Sequence, residues 1–172
     1  MIVAAFLLPA LLALLLQTRW FHWEPQSTRN RGELIEPVSA LADDAQAAGV
    51  FADGHRWSVL VRIPAGCDAG CERRVALLGN IREAQGKEMD RVQMVAWPAP
   101  DATPPTAFTE WQPQSAVAAR LALTECAVML VDPAGNAMMR YRPDADPTDV
   151  RKDVAHLLRW STLGKGIPGS RR

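Results

Sequence analysis

Trp57-Ser58-Val59-Leu60-Val61-Arg62-Ile63 is a β-rich run that stops at Pro64. Residues 72–85 follow, with Val75, Leu78, Ile81 and Arg82 near helical spacing and Gly86 as a stop. Residues 91–97 then form a second β-rich run. A helix between two strands is a crossover, and a crossover pairs its strands in parallel. Further on, two strand-like runs, 127–131 and 137–141, flank the short turn Asp132-Pro133-Ala134-Gly135-Asn136, which implies an antiparallel hairpin. Asp146-Pro147 opens a last helix to about Trp160, with Val150, Val154, Leu157 and Leu158 on one face. A mixed sheet with helices on both faces satisfies all of these constraints.

The first strand and the first helix are joined by Cys67-Asp68-Ala69-Gly70-Cys71. Cys67 falls just before the helix and Cys71 in its first turn. Unpaired N–H groups and the helix dipole favour a thiolate there, so Cys67 is the expected nucleophile. Residues four apart on a helix have Cα atoms about 6 Å apart, within reach of a disulfide. Two soft thiolates at that spacing also suit Cu(I). The alternative is a static disulfide or a pair of inert core thiols. Cys126, before the third strand, is the last of the three cysteines. It is read as a third Cu(I) ligand, as a resolving thiol, or as a small apolar core residue. Three cysteines are too few for a disulfide framework and point to a site.

Other chemistries find little support. Lys+Arg and Asp+Glu both number 19, so no basic excess marks a nucleic-acid surface. His22 and His156 are read as structural or interfacial, His55 falls at the end of the first strand away from the cysteine loop, and no P-loop, zinc spacing or Ser-His-Asp set occurs.

At the N-terminus, residues 1–16 are uncharged and apolar. As a helix they rise about 24 Å, slightly short of a hydrocarbon core of about 30 Å. The aromatic girdle out to Trp23 makes up the difference. The segment lacks a small-x-small cleavage site, so an uncleaved anchor is expected rather than a signal peptide. Arg19, Arg29 and Arg31 would favour a cytoplasmic location by charge alone. The resemblance of the span to a signal core, together with the thiol pair, instead places the bulk outside. The expected organisation is a transmembrane anchor at 1–23, a tether at 24–52 leading into an edge element, a domain at 53–163 and a polar tail at 164–172. Residues 98–113, with Pro98, Pro100, Pro104, Pro105 and Pro113, read as a long functional or mobile loop.

This strand order is the thioredoxin arrangement. The chain resembles the Sco/SenC group of cytochrome oxidase assembly proteins, closest to a short membrane-anchored bacterial branch. The motifs that carry the resemblance are Asn30-Arg31-Gly32-Glu33-Leu34-Ile35-Glu36-Pro37, Cys67-x-x-x-Cys71, Gly86-Lys87 before Asp90-Arg91-Val92, and Leu130-Val131-Asp132-Pro133-Ala134-Gly135. They span about residues 30–160. The resemblance implies an α/β thioredoxin-like domain on the periplasmic side of the inner membrane. Its partner would be a cytochrome c oxidase subunit or another periplasmic thiol protein, with copper (Cu+) as a handled metal. It makes Cys67 and Cys71 the catalytic pair, and Cys67, Cys71 and Cys126 the candidate metal ligands. The family's copper-binding His has no counterpart in Leu121-Ala122-Leu123-Thr124-Glu125-Cys126, and Glu72 stands where the family has Pro. Two alternatives remain: a general thiol–disulfide oxidoreductase without copper, and a non-catalytic binding module with a structural disulfide.

Overall fold

The computed structural model describes residues 30–163. The expected anchor at 1–23 with His22, the first part of the tether, and the tail at 164–172 lie outside the described residues. No helix among the described residues is long and apolar enough to cross a membrane.

Six strands form one mixed sheet: β1 (Glu33–Ala40), β2 (Trp57–Ile63), β3 (Val92–Pro98), β4 (Thr109–Glu110), β5 (Val128–Val131) and β6 (Asn136–Tyr141). Their order across the sheet is β1-β6-β5-β2-β3-β4. β2 and β3 pair in parallel, with Trp57 opposite Val92 and Ile63 opposite Pro98. β5 is antiparallel to β6, as the hairpin turn requires, and also to β2. Among the described residues four α-helices cover the sheet: α1 (Ala45–Phe51), α2 (Ala69–Gly79), α3 (Ser115–Leu121) and α4 (Pro147–Trp160).

The central strands are apolar at nearly every position because both of their faces are covered. Val59, Val61 and Ile63 point to one side and pack with Val75 and Leu78 of α2 and Val150 and Val154 of α4. Leu60, Val95 and Met129 point to the other side and pack with Phe51 of α1 and Val117 of α3. A buried polar pair interrupts this second face. Gln93 donates to the Ser58 hydroxyl (2.6 Å) and to the Val50 carbonyl (2.8 Å), which ties α1 to the sheet. The Asp132 carboxylate closes the β5–β6 turn by accepting from the Ala134 and Asn136 N–H groups. Asp132-Pro133-Ala134-Gly135 is thus turn chemistry, as its composition implies.

The edge element expected at the end of the tether is β1, an edge strand of the sheet, and further residues of the expected tether build α1. β1 pairs with β6, and Leu41, Ala47 and Phe51 are fully buried. The helix after the cysteines ends earlier than expected, at Gly79. A 3-10 segment, Glu83–Arg91, follows, and Gly86 interrupts it at φ 57°. Ile81 is still buried, so the apolar spacing marks the core correctly even where the α-helix has stopped.

The start of β1 is fastened to α4 by Asp153, which is almost wholly buried. Its Oδ2 accepts from the Arg31 N–H (2.8 Å), the Gly32 N–H (3.0 Å) and the Tyr141 hydroxyl (2.8 Å). The Arg31 guanidinium pairs with Asp149 (3.0 Å) and reaches Asp153 (3.6 Å). Gly32 lies directly on the Tyr141 ring, where a Cβ would come within 2.6 Å of Cζ. Burial, and then the neighbouring Asp153 carboxylate, push the Tyr141 hydroxyl well above its ordinary pKa.

Candidate active site

β2 runs to Ile63, and Pro64 ends it. Gly66, at φ +66°, then turns the chain through the left-handed region that favours glycine and delivers Cys67 to the start of α2. Asp68 is the N-cap. Its Oδ1 accepts the Cys71 N–H at 2.8 Å, and the Glu72 N–H bonds its carbonyl at 2.9 Å. This cap is worth about 1 kcal/mol to the helix. It also fixes the first turn on which Cys71 stands.

Cys67 and Cys71 are joined by a disulfide, with a Cα–Cα distance of 5.3 Å. Both are half-buried and pack against the α2/α4 side of the core. The oxidised pair therefore fits the helix start without unwinding it. Asp68 satisfies the Cys71 N–H. The other first-turn N–H groups and the helix dipole favour a thiolate once the bond is reduced.

A cleft of about 350 Å³ opens beside Cys67. Ile63, Pro64 and Val75 give it apolar walls, and Glu72 stands on the α2 side. The opposite wall comes from the proline-rich loop, through Asp101, Ala102 and Thr103. That loop is anchored at several points. The Ala99 N–H bonds the Ile63 carbonyl (2.8 Å), the Ala102 N–H bonds the Ala99 carbonyl (3.0 Å), and Phe108 is buried against Gly79 of α2. The sequence marks the loop as functional or mobile. That pattern misses Asp101 and Thr103, whose only sequence signal is their place among the prolines.

Cys71 and Cys126 do not line this cleft. Cys126 lies beside the end of β2, where its N–H donates to the Arg62 carbonyl (3.0 Å). It adopts φ 60°, in the left-handed region, and is half-buried and unbridged. Arg74, one turn beyond Cys71, donates to the Ala145 and Arg142 carbonyls, and its Nε is buried without a partner. Burial pushes the Arg74 guanidinium down from its ordinary value, opposed by the neighbouring Cys126, Asp144 and Asp146. Arg74 is thus a charged neighbour of Cys126. Among the described residues no three or more His, Cys, Asp or Glu side chains converge as metal ligands. His55 sits before β2, at the end of the strand away from the cysteines, and His156 lies near Trp160 on α4.

Residues 57–161 match the family model described as transmembrane-like, thioredoxin-like, C-terminal domain. The chain belongs to that family. The matched region begins at the first residue of β2 and ends just beyond α4, so it contains both cysteines and the cleft. β1 and α1 precede it. No curated protein matches the chain. Among solved structures, it overlays on a SCO1/SenC family lipoprotein from Bacillus anthracis str. Ames with 15% identity, covering 64% of this chain and 84% of that one, at a TM-score of 0.46. It overlays on Trgpx in apo form with 10% identity, covering 60% of this chain and 81% of that one, at the same TM-score. The thioredoxin-like assignment rests on the family match and on the sheet order rather than on these overlays.

Proposed function

We propose that this protein is a thiol–disulfide exchange factor that acts through Cys67 and Cys71. Its clients would be the copper-binding thiols of a cytochrome c oxidase subunit or another periplasmic thiol protein. It would work from a membrane-anchored position with the thioredoxin-like domain in the periplasm. The observation that carries the chemistry is a disulfide at a helix N-terminus, one sulfur of which opens onto a cleft. The client and the compartment rest on the sequence motifs shared with the Sco/SenC group and on the apolar N-terminal segment.

In the reduced protein the Cys67 thiolate attacks one sulfur of a client disulfide. A Cys67–client mixed disulfide forms and one client thiolate leaves. The Cys71 thiolate then attacks the Cys67 sulfur, closing the Cys67–Cys71 bond and releasing the second client thiolate. Two electrons pass to the client, and a dithiol donor protein resets the pair. The disulfide in the structure corresponds to the oxidised end of this cycle.

Copper enters as cargo. A reduced Cys67–Cys71 pair offers two soft thiolates to Cu(I). A third ligand does not converge on them among the described residues, and the stretch before the hairpin carries no His. The donor set suits thiol exchange better than a three-ligand copper centre.

Trapping tests the reading. A Cys71→Ser variant in a Cys126→Ser background, expressed in cells, should stall at the first step and accumulate a reducible adduct through Cys67. Adducts on the copper-site cysteines of an oxidase subunit are the expected result. Adducts spread over unrelated periplasmic proteins would favour the general oxidoreductase. No adduct at all would leave the pair as a structural staple.

A further inference from the structure

The cleft beside Cys67 is apolar within and acidic at its edges. Glu72 lies on one side and Asp101 on the other, both exposed. Neither side chain has an ion-pair or hydrogen-bond partner among the described residues. No lining residue is basic. Arg62 lies over the Trp97 ring at 4.5 Å, and Arg74 donates to backbone carbonyls; Arg73, next to Glu72 on α2, is exposed and lies outside the cleft lining. The cleft volume, about 350 Å³, falls at the small end of ligand pockets. That volume has room for a short stretch of peptide.

We infer that Glu72 and Asp101 select the client: the cleft takes an extended, cysteine-bearing segment with an apolar side chain beside the cysteine and Lys or Arg flanking it. This rests on the exchange reading above and adds its charge specificity. Three arguments support that occupant. Whatever exchanges with Cys67 must bring its own sulfur to this cleft. The apolar walls of Ile63, Pro64 and Val75 are covered best by an apolar side chain. Two unpaired carboxylates of one sign steer and hold cations and repel acidic segments. The anchored proline-rich loop fixes Asp101 across from Glu72, so the charge pattern is a property of the folded cleft.

The carboxylates also act on Cys67 itself, since a negative charge nearby disfavours a thiolate. A change in absolute rate would therefore be ambiguous, and the informative quantity is the ratio between substrates. The test uses the reduced full-length protein in detergent at low salt. Its probes are short peptides whose single cysteine carries a thionitrobenzoate cap, flanked by Lys, by Ala or by Glu. Attack by Cys67 forms the Cys67–peptide disulfide and releases the coloured thiolate. A mixed disulfide of mercaptoethanol and thionitrobenzoate, which has no flanks, is the reference.

The Lys-flanked peptide should react about three- to tenfold faster than the Glu-flanked one, a ratio typical of two exposed charge pairs at low ionic strength. The ratio should fall to near one in Glu72→Gln/Asp101→Asn, fall to near one at high salt, and reverse in Glu72→Lys/Asp101→Lys. Equal rates for all peptides in the unmodified protein, or a preference that survives in Glu72→Gln/Asp101→Asn, would overturn the inference while leaving thiol exchange intact. If the reference disulfide reacts no faster with the unmodified protein than with Cys67→Ser, the exchange reading fails, and the charge specificity fails with it.

Discussion

Cys67→Ser is expected to reduce thiol–disulfide exchange to the uncatalysed background, with the fold unchanged. A serine hydroxyl neither ionises near neutral pH nor forms a bond to a client sulfur, so the first step has no substitute. The folded state loses little, because Cys67 is half-buried in the loop before α2, and the helix is capped by Asp68 rather than by the thiol. Turnover of a small disulfide by the unmodified protein, Cys67→Ser and Cys71→Ser gives the comparison, with far-ultraviolet circular dichroism to verify folding. Cys71→Ser should retain a single-turnover reaction and lose the second release, because only closure onto Cys67 requires it. Exchange that persists in Cys67→Ser at the unmodified rate would move the nucleophile elsewhere. Cys71 and Cys126 would then be the remaining thiols, and Cys71→Ser in the same comparison tells them apart.

Asp153→Ala is expected to cost about 3 kcal/mol of stability, since it removes three hydrogen bonds to a buried carboxylate and leaves the Tyr141 hydroxyl without its acceptor. Asp153→Asn keeps the shape and part of the accepting capacity, and should cost less, about 1–2 kcal/mol. The loss is concentrated at one place. Asp153 joins the chain at Arg31 and Gly32 to α4, so its removal frees the start of β1 from the rest of the sheet. Urea denaturation measures the total. Amide hydrogen exchange across residues 30–40 measures the local opening, which should exceed that of β2 and β3. A loss below about 0.5 kcal/mol, in the range of an ordinary surface substitution, would mean that the Asp153 cluster does not hold β1.

The parts of the fold that could be read in the sequence were those fixed by local pattern. β2 and β3 are largely apolar runs that end at Ile63, before Pro64, and at Pro98, and Asp132 to Asn136 closes a short hairpin. Asp146-Pro147 supplies a cap and a first-turn proline, and α4 begins there. β1 was less legible because what makes it part of the sheet is remote. Its partner is β6, and its anchor is Asp153, more than a hundred residues away. α1 is a short helix with Gly49 inside, and its burial depends on Phe51 meeting Trp111, their ring centroids 4.8 Å apart.

The same division holds at the site. The placement of Cys67 and Cys71 follows from a strand end and a helix start, both local signals. Asp68, at the N-cap position, is a local feature of the same kind. The second wall of the cleft was not, because Asp101 and Thr103 reach it only through the path of the proline-rich loop. Cys126, read in the sequence as standing before the third strand, lies beside the end of β2, and a charged neighbour, Arg74, comes from the second turn of α2 and has no sequence signature.

The central claim is that the Cys67–Cys71 bond opens and closes in use. Equilibrating the full-length protein in buffers of graded dithiol and disulfide, then alkylating and weighing it, measures this directly. The account predicts one cooperative two-electron transition assigned to Cys67 and Cys71, with a midpoint above about −300 mV, where the thiolate-stabilising helix start keeps the reduced form accessible. A bond that stays closed below that potential, as structural disulfides do, would contradict it.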